Sequence, residues 1–82
     1  MKVAAVDLGT NSFLCLIAEV TGRSPTASLK VLQDVSRVVR LGEKVHQNRF
    51  FLPEALQRAS QCLDEFRDII KKHKVNYTIC LT

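Results

Sequence analysis

Between Lys2 and Val6, and again between Phe13 and Val20, apolar residues fill successive positions instead of alternate ones, with Val, Ile, Phe and Leu dominating. A segment of this length that is apolar on both sides of its backbone reads as a strand buried on both faces. The intervening Asp7-Leu8-Gly9-Thr10-Asn11-Ser12 supplies turn chemistry at the length of a tight hairpin loop, which makes the two strands antiparallel neighbours. A second turn is predicted over Thr21-Gly22-Arg23-Ser24-Pro25-Thr26. After it, Leu29 to Val39 is strand-like but interrupted by Lys30, Gln33, Asp34, Ser36 and Arg37, the pattern of a half-exposed third strand. From Pro53 to about His73 the period becomes helical. Leu56, Ala59, Leu63, Phe66 and Ile70 recur at spacings of three and four and form one stripe, expected to cover a sheet face.

The helix signals agree at its start and along its surface. Pro53 suits the first helical position, Glu54 complements the positive end of the helix, and Glu54 with Arg58 and Asp68 with Lys72 form i, i+4 pairs. Leu52 is a poor cap where Ser, Thr, Asp or Asn is favoured. Val75 to Leu81 returns to strand character, and a long helical crossover into the same sheet makes it parallel to its neighbour. The order is strand, strand, strand, helix, strand, an α/β arrangement without repeats, low-complexity tracts or linkers. One helix shields one face of a four-stranded sheet, so the other face is left bare, and the chain reads as part of a larger domain.

Composition narrows the class without changing this outline. The 82 residues are 46% hydrophobic and 24% charged with 3 glycines and 2 prolines, which excludes disorder, collagen and low complexity. A unit this small removes only roughly 60% of its unfolded surface from water, so help from a metal, a partner or further chain is expected. The longest apolar run, Phe13 to Ala18, is of strand length and far short of a membrane span, and the first residues, Met1-Lys2-Val3-Ala4-Ala5-Val6-Asp7, place a carboxylate where a secretory signal carries its apolar centre. A cytoplasmic protein without membrane contact is expected. Cys15, Cys62 and Cys80 are odd in number, widely spaced and set in apolar stretches, and read as small hydrophobes in a reducing compartment. The net charge of +4 favours anionic ligands in general. Its one cluster, Lys71-Lys72-His73-Lys74, ends the helix and opposes the helix dipole, so no nucleic-acid partner is expected.

The chemistry concentrates where the first strand ends. Asp7 leaves a buried strand, and Gly9, Thr10, Asn11 and Ser12 follow as a glycine and three small hydrogen-bonding residues. Gly9 permits close backbone approach, and successive N–H groups of a tight turn form an anion-binding nest. Asp7 repels phosphate by itself, so its presence makes sense if it holds a divalent cation, directly or through water, or orients an attacking water. The same residue types also serve ordinary hairpin turns. What separates this turn from an ornamental one is that it joins two strands buried on both faces.

Val6-Asp7-Leu8-Gly9-Thr10-Asn11-Ser12-Phe13, with Leu16-Ile17-Ala18-Glu19-Val20 after it, resembles the opening of the exopolyphosphatase and guanosine pentaphosphate phosphohydrolase family, within the actin-like, sugar-kinase and heat-shock ATPase superfamily. Val39-Arg40-Leu41-Gly42-Glu43, and Leu52-Pro53-Glu54-Ala55-Leu56 leading to Cys62-Leu63 and Phe66, agree. The Asp-x-Gly-Thr turn is shared across the superfamily, whereas Asn11-Ser12 and the Val-Arg-Leu-Gly-Glu stretch narrow it to this family. The resemblance implies a ribonuclease-H-like half-domain with the first three strands antiparallel and the fourth parallel to the first. It implies that Gly9, Thr10, Asn11 and Ser12 form the first phosphate-binding loop, and that Asp7 is a catalytic residue beside a magnesium ion. It further implies hydrolysis of terminal phosphoanhydride bonds of inorganic polyphosphate, or of the 5′-phosphate of guanosine pentaphosphate. In the family the second phosphate loop and the glutamate that activates water lie beyond Thr82.

Three departures stand out: Leu14 where members often carry histidine or arginine, Lys44 for a glycine after Leu-Gly-Glu, and the missing helix cap. Arg40 matches a recurrent family arginine and reads equally as a residue that braces its loop. Asp64, Glu65 and Asp68 fall largely off the apolar stripe and read as a solvated face paired with Arg67 and Lys72. His46 and His73 are too far apart to form a ligand motif, and Phe50-Phe51 reads as a core anchor. Two other function classes fit the chain: a non-catalytic half-domain that binds anions or a partner, and a superfamily kinase or chaperone-type ATPase. A bare sheet face and an exposed last strand predict a homo-oligomer, or docking with the remainder of the domain.

Overall fold

The computed structural model describes residues 1–23 and 27–82; of the second predicted turn, Ser24, Pro25 and Thr26 lie outside them. Strands β1 (Lys2–Leu8), β2 (Ser12–Thr21) and β3 (Ser28–Val38) are followed by a short helix α1 (Val45–Asn48), a long helix α2 (Pro53–His73) and strand β4 (Tyr77–Leu81). The sheet order is β3-β2-β1-β4. β2 runs antiparallel to both β1 and β3, and β4 runs parallel to β1. This is the strand direction and order expected of the ribonuclease-H-like half-domain. The α1 turn falls in a polar stretch too short to show a period.

The register explains why both central strands are apolar throughout. Ala4, Val6 and Leu8 of β1 lie beside Ile17, Cys15 and Phe13 of β2, and these side chains face α2. On the opposite face Val3, Ala5 and Asp7 lie beside Ala18, Leu16 and Leu14, and beside Tyr77, Ile79 and Leu81 of β4. No helix among the described residues covers that side, and Leu14, Leu29, Val31, Val38, Tyr77, Ile79 and Leu81 are all exposed. The bare face expected from the sequence is therefore present. Opposite Ile17 and Ala18 the pairing of β2 with β3 skips Leu32, a bulge that turns this extra residue to pack against the core.

α2 begins and ends where the periodicity places it, but it rolls relative to the predicted stripe. The residues it buries are Ala55, Ala59, Cys62 and Phe66, with Ile69 and Ile70 partly buried beside them. Leu56 and Leu63, expected in the stripe, stay 49% and 42% exposed. Ala59, Phe66 and Ile70 of the stripe do face the core, but Ala55 and Cys62 take the places expected of Leu56 and Leu63, a roll of roughly half the 100° step between successive residues. The small side chains at 55, 59 and 62 form a flat surface that lets the helix backbone approach the sheet, and Phe66 fills the space beyond them. Leu52 accepts a hydrogen bond from the N–H of Leu56 at 3.0 Å and supplies no side-chain cap, as its residue type implies. At the other end Lys74 takes a left-handed conformation and closes the helix onto the carbonyl of Lys71 at 3.2 Å.

Ion pairing departs from the predicted i, i+4 ladder. Arg58 turns away from Glu54 to meet Glu43 at 2.6 Å, and Glu65 meets Arg37 of β3 at 2.6 Å. Arg67 lies 3.4 Å from Asp64 and 3.3 Å from Asp68; among the described residues Asp68 makes no pair with Lys72. Arg58 and Glu65 thus tie the helix to the loop after β3 and to β3 itself, while Arg67 keeps its pairs along the helix. His73 Nε2 adds another tie to β3, 2.8 Å from the Gln33 side-chain oxygen.

Cys15 and Cys62 are buried as expected, and burial pushes both thiols above their ordinary value, so each remains a neutral, small apolar group. Cys80 and the Phe50-Phe51 pair are instead exposed, because α2 does not extend over β4 and no described element covers residues 50 and 51. The core anchor on this helix is Phe66, only 2% exposed. Replacing it with alanine should cost about 3–5 kcal/mol. That is comparable to the whole stability of a small domain. In urea unfolding monitored by circular dichroism, Phe66→Ala is expected to lose its native baseline, while Leu63→Ala keeps one.

Candidate phosphate-binding turn

β1 and β2 run further toward each other than the turn signals predict. Asp7 and Leu8 belong to β1, Ser12 to β2, and the connection contracts to Gly9, Thr10 and Asn11. The N–H of Gly9 donates to the carbonyl of Ser12 at 3.0 Å. A Cβ built on Gly9 would stand 2.9 Å from that same oxygen, closer than real Cβ atoms come. Glycine is thus demanded here by the turn's approach to itself, and the Gly9 N–H is already used within the turn.

Beyond Gly9, the carbonyls of the turn are taken up by the chain that leaves β3. The N–H groups of Val39 and Arg40 both donate to Asn11 O at 2.9 Å, and the N–H of Gly42 donates to Thr10 O at 3.0 Å. The peptide groups of the turn are held by their oxygens. The N–H groups of Thr10 and Asn11 have no acceptor among the described residues. Neutral donors left without a partner in a tight turn are what an anion-binding nest requires.

The loop that holds the turn is braced from α2. Arg58 donates through Nε to Val39 O at 2.8 Å and through Nη2 to Arg40 O at 3.3 Å, and the same Nη2 lies 2.6 Å from Glu43 Oε2. One guanidinium therefore fixes two consecutive carbonyls and neutralises the nearest carboxylate. Sequence reasoning assigned Arg58 to a pair with Glu54 and missed this role. The signal was in the Val39 to Glu43 stretch, whose pairing with a helix residue 15 to 19 positions away is invisible to local spacing.

Thr10, Asn11, Arg40, Gly42 and Glu43 line a groove of about 300 Å³. Of the residues expected to bind phosphate, Thr10 and Asn11 line it; Gly9 shapes the turn behind it and Ser12 opens β2. Asp7 stands on the open face of the sheet, between Leu14 of β2 and Leu81 of β4 in register, exposed and without an ion pair or hydrogen bond among the described residues. No group of three or more histidine, cysteine or acidic side chains that could hold a metal occurs among the described residues. A magnesium ion does not demand such a cage, since it is commonly held by one or two carboxylates together with substrate phosphates and water.

No family model matches the chain. Individual relatives do. It is 39% identical over 74 residues to the bifunctional 3-dehydroquinate synthase/phosphatase of Fusobacterium nucleatum, covering 88% of this chain and 11% of that protein. It is 36% identical over 72 residues to exopolyphosphatase 2 of Mycobacterium tuberculosis, covering 88% of this chain and 23% of that protein. The Aquifex aeolicus Ppx/GppA phosphatase superposes on 98% of the chain with a TM-score of 0.88 at 25% identity, using 25% of its own length. The chain is a homologue of the Ppx/GppA phosphatases. It spans about a quarter or less of the length of these relatives.

Within this segment the turn makes a direct test. Gly9→Ala is expected to open the Gly9–Ser12 hydrogen bond and to shift the loop held on Thr10 and Asn11. Amide hydrogen exchange should quicken at Gly9, Val39, Arg40 and Gly42, by tenfold or more, with exchange in the middle of α2 unchanged.

Proposed function

We propose that these residues form the first phosphate-binding half of a phosphohydrolase cleft, in a larger domain that cleaves terminal phosphoanhydride bonds of inorganic polyphosphate or the 5′-phosphate of guanosine pentaphosphate. The observation that carries this reading is the turn itself: its carbonyls are engaged by residues 39, 40 and 42, leaving the Thr10 and Asn11 N–H groups without acceptors beside an open groove. Similarity to proteins named exopolyphosphatase and Ppx/GppA phosphatase supports the same reaction class.

The reaction is attack of water on a terminal phosphorus with loss of the remaining phosphate chain. In it, the Thr10 and Asn11 N–H groups would donate to phosphoryl oxygens and stabilise charge that grows there, without having to reorganise. Gly9 and Ser12 keep the turn in the shape that presents those donors. Asp7 would hold a divalent cation or orient the attacking water from the carboxyl end of β1. Magnesium, when bound, supplies charge neutralisation on the phosphoryl oxygens. The water-activating base is assigned to the remainder of the cleft, so the 82 residues alone should show no significant hydrolysis.

The reading extends to setting and partners. We assign the protein to the cytoplasm, consistent with free Cys15, Cys62 and Cys80, and no helix among the described residues is long and apolar enough to cross a membrane. Its partners are the phosphate substrate and, across the bare sheet face, the rest of its domain or a second copy of the chain. Sedimentation velocity of the 82-residue chain is expected to show species larger than 9.2 kDa; a sharp monomer peak would remove the self-association.

Asp7→Ala in a full-length polypeptide carrying this segment should lower kcat for phosphate release from polyphosphate at least a hundredfold. The thermal melting midpoint should stay close to that of the parent, because Asp7 is exposed and supports no neighbour. Unchanged turnover would overturn the assignment.

A further inference from the structure

The groove is larger than its phosphate turn requires. Liquid water occupies about 30 Å³ per molecule, so a phosphate group with its four oxygens takes on the order of 100 Å³. At about 300 Å³ the groove has room for more than one. Thr10 and Asn11 line one side, and Arg40, Gly42 and Glu43 line the rest.

Two observations single out Arg40 among these. Its backbone sits at φ 47°, a left-handed conformation that disfavours a residue with a Cβ. Of the other non-glycine residues at positive φ, Arg49 and Lys74 cap helix C-termini, where such geometry is routine, and Lys44 opens the short α1. Arg40 caps no helix; it is held there by its own N–H on Asn11 O and by Arg58 on its carbonyl. Its guanidinium has no ion pair or hydrogen bond among the described residues, although Glu43 lines the same groove. Arg58 occupies that carboxylate at 2.6 Å, so the nearest anion is already satisfied and the Arg40 charge stays available.

We propose that Arg40 binds a second phosphate of a linear polyphosphate chain whose first phosphate sits on the Thr10–Asn11 turn. This rests on the phosphate-binding reading of the turn. Arg40 then acts as a length-selecting contact: it adds affinity for anions of two or more linked phosphates and little for orthophosphate. Arg58 is its positioning residue, since it fixes the Arg40 carbonyl and keeps Glu43 from competing for the guanidinium.

The test is calorimetric titration of the 82-residue chain with inorganic tripolyphosphate and with orthophosphate, comparing the parent with Arg40→Gln, Arg40→Lys and Lys71→Gln. Lys71 lies near the far end of α2 and controls for net charge. The expected result is a loss of tenfold or more in tripolyphosphate affinity for Arg40→Gln, and under threefold for orthophosphate. Arg40→Lys should recover part of the loss, and Lys71→Gln should match the parent. Circular dichroism spectra that superpose with the parent's establish that the variants fold. If the parent binds both anions and Arg40→Gln binds tripolyphosphate equally well, the Arg40 assignment falls and the turn reading stands. Equal losses for both anions, or an equal loss in Lys71→Gln, also overturn it. If the parent binds neither anion, the turn reading falls and takes Arg40 with it.

Discussion

Three hydrogen bonds from one short stretch of backbone hold the functional end of this molecule together: Val39 and Arg40 onto Asn11 O, and Gly42 onto Thr10 O. Each is worth about 0.5–1.5 kcal/mol on its own. Their structural weight is greater, because they act on the same two peptide groups. A peptide whose oxygen is held from one side must turn its N–H to the other, so binding Thr10 O decides where the Asn11 N–H points, while the Thr10 N–H is set by the turn at Gly9. The hairpin between β1 and β2 would otherwise be free to choose among several turn geometries, and the residues after β3 choose for it.

The second tier of this arrangement is Arg58. It is half-buried, rooted on a helix whose inner face is fixed against the sheet, and its planar fork satisfies Val39 O, Arg40 O and Glu43 at once. A lysine offers a point charge without that fork and could not replace it. Rigidity is thus passed from the packed core around Phe66 and Cys62, through one side chain, to the loop that sets the turn. An exposed loop acquires the definition of the core without being buried in it.

How far the sequence led follows from the range of each signal. Strand directions and the whole of α2 were legible because hydrophobic period and turn residues act over a few positions, and both agree here. The turn at Gly9 to Asn11 and its partners Thr10 and Asn11 were legible as chemistry, while the reason for glycine was not: it lies in the close approach of Ser12 O and not in a ligand. On the inner face of α2, Ala59 and Phe66 were legible, whereas Ala55 and Cys62 took the places expected of the more hydrophobic Leu56 and Leu63; closeness of approach outweighed side-chain size. Arg58 was misassigned because Glu54 is its neighbour along the helix and Glu43 its neighbour in space. Phe50 and Phe51 look like core residues by type, and nothing in the described chain lies over them.

The pairing of β4 with β1 has a consequence in time as well as in space. Val3 lies beside Tyr77, and Lys2 donates to the Asn76 side chain at 2.9 Å, contacts that close the chain from nearly one end to the other. β1, β2 and β3 are joined by short connections and need little loop closure to meet, so the three-stranded meander is the economical nucleus. On a ribosome, with chain emerging at about 5–20 residues per second, the apolar edge of β1 waits several seconds for its parallel partner. During that interval a central strand of the sheet has an unfilled edge, and the order of synthesis leaves β1 in need of protection while the protein is being made.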